Sequence, residues 1–132
     1  MGLENVDRET LVDLYWEKSV NALKSVDELI NIHDWSTAAN RLYYCAFYAL
    51  SAMFVNDGNP VNSHRGAKSV LYLHYIKPNL LDRNISSLFS QLQTLRDKAD
   101  YDVIFTASEK EIMDFRKEID AFLKVIGDRI KK

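Results

Sequence analysis

The sixteen residues from Asn40 to Val55, NRLYYCAFYALSAMFV, constrain this chain more than any other stretch. Read as a helix, the run is apolar on nearly every side, and a helix that is hydrophobic all round belongs inside a core. At about 100° per residue, Tyr43, Phe47, Leu50 and Phe54 form a bulky stripe. Cys45, Ala49 and Ala52 form a stripe of small side chains that a neighbouring helix can approach closely. Arg41, Tyr44, Tyr48 and Ser51 form a third stripe, and it is polar. Burying a guanidinium or a phenol without a partner costs on the order of several kcal/mol. A central helix with this seam therefore needs partners for it, and the seam is the first place to look for function.

The flanking segments supply helices for that core. A first helix is predicted from about Asp7 to Ile32, capped by Asp7, with Leu11, Tyr15, Ala22, Val26 and Leu29 on its buried face and Asp13, Glu17, Lys24 and Asp27 in solvent. The turn His33-Asp34-Trp35-Ser36 offers Asp34 or Ser36 as the cap of the central helix, which ends near Asp57-Gly58 with Gly58 in the left-handed conformation. After the loop Asn59–Asn62, either Asn62 or Ser63 caps a shorter third helix that runs to about Ile76, before Pro78. Asp82 caps a fourth helix, whose Ile85, Leu88, Leu92, Leu95 and Ala99 recur at helical spacing. Residues 103–106 read as extended or loop. Ser108 and Glu111 then make an S-x-x-E capping box before Ile112, Phe115, Ile119, Phe122 and Ile126. No stretch alternates with a strand period for long enough to build a sheet. The expectation is an all-α fold, an antiparallel up-and-down bundle of four to five helices, forming one domain over residues 1–132.

Charge and composition limit the functional classes. The net charge of −2 argues against coating nucleic acid by charge alone. The distribution is uneven: residues 1–33 carry seven acids and three bases, residues 34–81 two acids and four bases. A local anion site in the middle of the chain is therefore compatible with an acidic whole. The single cysteine, Cys45, allows no internal disulfide and reads as a small buried hydrophobe. No signal peptide is visible, and the apolar run Leu42–Val55 is shorter than the ~20 residues of a membrane span. The expectation is a cytoplasmic protein without membrane contact. There is no Glu-x-x-His pair for a di-iron site, no zinc spacing and no glycine-rich phosphate loop, so neither a metal nor a cofactor is expected.

Three polar groups remain as candidates. Arg41 and Tyr44 lie one turn apart on the central helix. Ser63-His64-Arg65-Gly66 opens the third helix, where free N–H groups and the helix dipole favour a phosphate. Arg96-Asp97-Lys98-Ala99-Asp100-Tyr101 closes the fourth helix, with Arg96 and Asp100 spaced for an intrahelical ion pair. Each also has an ordinary structural explanation as an ion pair, a cap or a solvated face.

Taken together, N-R-x-Y-Y-x-A-F-Y, then S-H-R-G, then R-x-x-A-D-Y resembles the HEPN superfamily, the "higher eukaryotes and prokaryotes nucleotide-binding" helical domain, and most of all its small stand-alone prokaryotic branch. The resemblance spans about residues 7–128. It implies a bundle of four or five helices that commonly pairs as a homodimer. It implies binding of a nucleotide or RNA, with a minimal nucleotidyltransferase as partner in a toxin–antitoxin-like pair. Many members are metal-independent ribonucleases that carry an Arg, four to six residues and then a His. Here Arg96 would be that Arg, but positions 101–103 are Tyr, Asp and Val, so the His is missing. A Tyr with a reference pKa of about 10 is a poor general base at neutral pH.

The leading expectation is therefore a binding protein. Arg41, Ser63, His64, Arg65 and Arg96 would meet a phosphate, Tyr44 and Tyr101 would contact base or sugar, and Asp100 would orient Arg96. The alternative is an RNA endonuclease toxin in which Arg96 stabilises the phosphorane and His64 moves the proton. A third reading is a structural homodimer whose polar seam is an internal salt-bridge network.

Overall fold

The computed structural model describes residues 7–61 and 63–132. Its helices are α1 (Arg8–Asn31), α2 (Trp35–Asn56), α3 (His64–Leu71), α4 (Arg83–Tyr101) and α5 (Glu109–Ile130), and a π-helical turn, Tyr72–Ile76, extends α3. Local chemistry sets the boundaries. Asp7, Asp34, Ser63, Asp82 and Ser108 each accept a backbone N–H with the side chain at the start of a helix. Ser108 and Glu111 form the reciprocal capping box. Asn62, the other candidate cap of α3, lies outside the described residues. Gly58 leaves α2 with φ +81°, a conformation that strains any side chain.

The four long helices alternate up and down. Antiparallel partners show in the cross-helix contacts: Ser19 with Cys45 between α1 and α2, Asn40 with Asp100 between α2 and α4, and Arg116 with Asp27 between α5 and α1. Helix α2 packs against α1, α3, α4 and α5. From Ala38 to Phe54 only Asn40, Arg41, Tyr44, Phe47 and Tyr48 keep partial access to solvent. The all-round hydrophobic run thus sits at the centre, and its partial exceptions fall on one side of the helix.

Two details differ from the periodicity. On α1 the buried side chains are Val12, Ser19, Ala22 and Val26, whereas Leu11, Tyr15 and Leu29 are half-buried. Ser19 is buried because its hydroxyl donates to the Cys45 carbonyl at 2.7 Å, which satisfies a polar group at the close α1–α2 contact. The second difference is the π turn, marked by a hydrogen bond from the Lys77 N–H to the Tyr72 carbonyl at 2.8 Å. The widened turn brings Leu71, Tyr75 and Ile76 into the core and leaves Leu73 exposed.

The bundle ends are tied by charge. At the C-terminal end of α2, the Tyr75 hydroxyl and Arg129 Nε both donate to Asp57 Oδ2, at 2.7 and 3.0 Å. Burial pushes the Asp57 carboxyl up, but the bonds from Tyr75, Arg129 and Asn56 outweigh it and hold the carboxyl below its usual range. Among the described residues, no helix is long and apolar enough to cross a membrane.

Candidate functional site

In the N-terminal half of α2, residues from three helices meet around the Tyr43 and Tyr44 rings. Arg96, on the last turns of α4, places its guanidinium carbon 5.4 Å from the Tyr43 centroid, 5.5 Å from that of Tyr44 and 5.6 Å from that of Tyr101. Its Nη2 donates to the Tyr44 hydroxyl at 3.3 Å and to the Tyr101 hydroxyl at 3.5 Å. Arg41 approaches the same ring from α2, with its guanidinium carbon 4.9 Å from the Tyr44 centroid. Two cations thus share one aromatic ring, an arrangement that the ring quadrupole favours.

The His64 side chain enters from the first turn of α3. Its Nδ1 shares a 2.8 Å hydrogen bond with the Tyr43 hydroxyl, and its ring lies 4.4 Å from Phe47 and 5.4 Å from Tyr44 between centroids. Burial, together with the Arg96 charge, depresses the His64 pKa despite the opposing effect of Asp97. The imidazole is therefore neutral at pH 7. Burial also pushes the Tyr43 hydroxyl well above its ordinary range, so it stays protonated.

Acids hold Arg96 in place. Nη1 donates to Asp97 at 3.1 Å, and Asp100 Oδ2 stands 3.2 Å from Nε. That second contact lacks hydrogen-bond alignment, so the Nε–H is buried with no acceptor among the described residues. Asp100 Oδ2 accepts instead from Asn40 Nδ2 at 2.9 Å. The other end of the same amide, Asn40 Oδ1, accepts from Arg41 Nε and Nη2 at 3.0 and 2.8 Å. Asn40 is thus the bridge between the two arginines. Burial works against the Arg96 charge, but Tyr44, Tyr101, Asp100 and Asp97 outweigh it, and the group stays cationic.

A family model described as a HEPN domain matches residues 12–129. The chain belongs to the HEPN family. This HEPN domain is 20% identical over 125 residues to a UPF0332 protein of Thermotoga maritima, with 95% of each chain covered. It is 26% identical over 95 residues to a Methanocaldococcus jannaschii protein named "Putative toxin", which covers 72% of this chain and 65% of that one.

Of the candidate residues in the HEPN sequence, Arg41, Tyr44, His64, Arg96, Asp100 and Tyr101 come together in this cluster. Ser63 is occupied as the α3 cap, accepting from the Gly66 N–H at 3.1 Å. A Cβ at position 66 would stand 3.3 Å from Ser63 Oγ, so the cap itself accounts for the glycine. Arg65 is exposed and makes no hydrogen bond or ion pair with the described residues.

Asn40 and Tyr43 belong to the cluster too. Both stood in the N-R-x-Y-Y string, but Tyr43 falls on the bulky stripe and its spacing marked it as core. It is both: fully buried, with its hydroxyl at the edge of the site.

The lowered His64 pKa has a consequence for stability. The unfolded chain takes up this proton near pH 6.5, before the folded domain does, so His64 favours the folded state above that pH and less as pH falls below it. Melting temperatures followed from about pH 7.5 down to 5 should fall less steeply for His64→Gln than for the unaltered protein. Equal slopes would assign the acid sensitivity to other groups.

Proposed function

We propose that this HEPN domain is a binding protein for a nucleotide or RNA, held at the cluster of Arg41, Tyr44, His64, Arg96 and Tyr101. The observation that carries the reading is the pair of guanidinium groups within 5.5 Å of the Tyr44 centroid, joined through Asn40. Arg41 has no carboxylate partner among the described residues, and its Nη1 donates to no acceptor among them. Planar donors beside exposed aromatic faces suit a phosphate and a stacked base. Tyr101 is largely exposed and offers the stacking face. Arg65, one residue beyond His64, would add attraction for an approaching anion, and Asp100 would hold Arg96 in register.

The partner in this reading is a minimal nucleotidyltransferase in a toxin–antitoxin-like pair, and the name of the M. jannaschii relative supports the toxin side of it. A homodimer would set two such clusters in one assembly. Val103 and Ile104, fully or almost fully exposed just past Tyr101, are an apolar ledge next to the cluster.

Titration of the purified protein with a labelled single-stranded RNA and with ATP tests the reading. Saturable binding of either that drops about tenfold or more in Arg41→Gln supports it, since a charge-assisted bond of roughly 1.5–3 kcal/mol is removed. No binding of RNA or nucleotide would overturn it. The endonuclease alternative has one specific observation behind it: a neutral His64 lies against Tyr43 and Tyr44, the rings that Arg96 also contacts. Cleavage of the labelled RNA without added metal, abolished in His64→Ala, would establish that reading instead.

A further inference from the structure

Behind Arg41, on the face of α2 turned to α1, lies an open pocket of about 250 Å³ lined by Lys18, Asn21, Ala22, Ser25, Arg41 and Tyr48. Two cations line it and no acid does. That is unusual for this chain, whose first 33 residues carry seven acids. The half-buried Arg96 and Arg116 both have carboxylates, Asp97 and Asp100 for one, Asp27 and Asp120 for the other. Arg41 is equally half-buried, yet among the described residues its only hydrogen-bond acceptor is the neutral Asn40 amide, and that leaves Nη1 uncommitted. Lys18 makes no ion pair among the described residues either, and its ammonium lies 5.4 Å from the Tyr48 centroid.

Arg41 and Tyr48 are seven residues apart on α2, roughly 10 Å along the axis. The pocket therefore has Arg41 toward one end and Lys18, beside Tyr48, toward the other, with Asn21 and Ser25 of α1 also on its wall. Two like charges facing one cleft repel unless an anion sits between them. The length between them suits two linked phosphoryl groups better than one.

We infer that the Lys18–Arg41–Tyr48 pocket is a second anion subsite, which takes two neighbouring phosphoryl groups of a polyphosphate or of an RNA strand. Arg41 then stands between two compartments, with its guanidinium over Tyr44 in one and its side chain on the wall of the other, which Lys18 shares. The inference rests on the binding reading above for what ligand runs through both compartments, but the pocket is testable by itself.

Inorganic pyrophosphate is the probe, and amide ¹H–¹⁵N spectra of the whole chain report where it binds. Saturable shifts are expected at Lys18, Asn21, Ser25, Arg41 and Tyr48. Lys18→Gln, at an exposed position, should weaken pyrophosphate about tenfold, while Arg96→Gln should leave those shifts in place. Shifts confined to residues around Arg96 and His64, or no saturable shifts, would overturn the subsite whether or not RNA binds. A second arm identifies the source of the phosphates. If an RNA strand crosses the pocket, Lys18→Gln should lower the slope of log Kobs against log salt by about 0.7 for a single-stranded oligonucleotide and leave ATP affinity unchanged. If a nucleoside triphosphate is the occupant, the same variant should weaken ATP and leave the RNA slope alone. Failure of both RNA and ATP to bind, with the pyrophosphate shifts intact, would remove the binding reading and keep the subsite.

Discussion

Phe54→Ala is expected to remove about 3–5 kcal/mol of folding stability. Phe54 is fully buried on α2, and its ring lies 5.6 Å from the Tyr75 ring of the π turn. Truncation forfeits the transfer energy of the ring and leaves a cavity between two elements that other bonds already hold. The Tyr75 hydroxyl stays anchored to Asp57, and Asp57 to Arg129, so the walls cannot close easily. A domain of this size has roughly 5–15 kcal/mol in total, and the variant should lie near the edge of folding at 37 °C. Urea unfolding monitored by circular dichroism measures the loss. A decrease below about 1 kcal/mol would mean that the walls collapse onto the gap, and that the Asp57 network is looser than its geometry implies. Phe54 is far along α2 from Arg41, so ligand affinity of the remaining folded protein should be unchanged.

Arg96→Gln should have the largest functional effect, a loss of about tenfold to a hundredfold in affinity for RNA or nucleotide, corresponding to one or two charge-assisted contacts. The glutamine retains some length and hydrogen bonding but not the cation that Tyr43, Tyr44 and Tyr101 surround. The side chain is 14% exposed and carries two acids, so the same change also costs stability by leaving Asp97 and Asp100 without a counter-charge. Stability and binding must therefore be measured on the same variant. Asp100→Asn separates them. It keeps the Arg96 charge and leaves an amide oxygen in the orienting position, so anion affinity should hold while stability falls. If Arg96→Gln and Asp100→Asn both lower stability and neither alters binding, Arg96 serves only the internal network. That result would favour the structural reading of the seam.

The helical architecture was legible in the sequence for identifiable reasons. Caps are local chemistry: Asp7, Asp34, Asp82 and Ser108 act within three residues of themselves, and each caps the helix it precedes. The stripes on the fourth and fifth helices were equally plain, because a 3–4 spacing of Leu, Ile and Phe has one helical interpretation. The third helix was less clear. A π turn adds a residue to the register, and no pattern of apolar residues announces it before the hydrogen bonds are seen. Ser19 was unreadable for a related reason, since its burial depends on a carbonyl 26 residues away.

The site was only partly legible. Arg41 with Tyr44, His64, and Arg96 with Asp100 and Tyr101 were all recognisable as polar groups in unusual positions. Which of them meet was not. Tyr44 and Arg96 are 52 residues apart, and Asn40 and Asp100 are 60 apart. Nothing in the local pattern separates Arg65, which stays exposed, from its neighbour His64, which turns in to Tyr43. The pocket with Lys18 was hidden altogether, because Lys18 reads along α1 as one more solvated charge.

The sequence alone determined that this chain folds as helices around one apolar segment, since propensity, capping and hydrophobic period act over a few residues and agree throughout. Tertiary structure alone decided which polar side chains from distant segments meet: Tyr44 with Arg96, Asn40 with Asp100, and Tyr43 with His64. Coulombic and hydrogen-bond partners depend on distances of a few ångströms between distant segments, and only the packed bundle sets them. Arg96 meets Asp97 and Asp100 on its own helix, but only the packing of α4 against α2 brings it over Tyr43 and Tyr44 and brings Asp100 to Asn40.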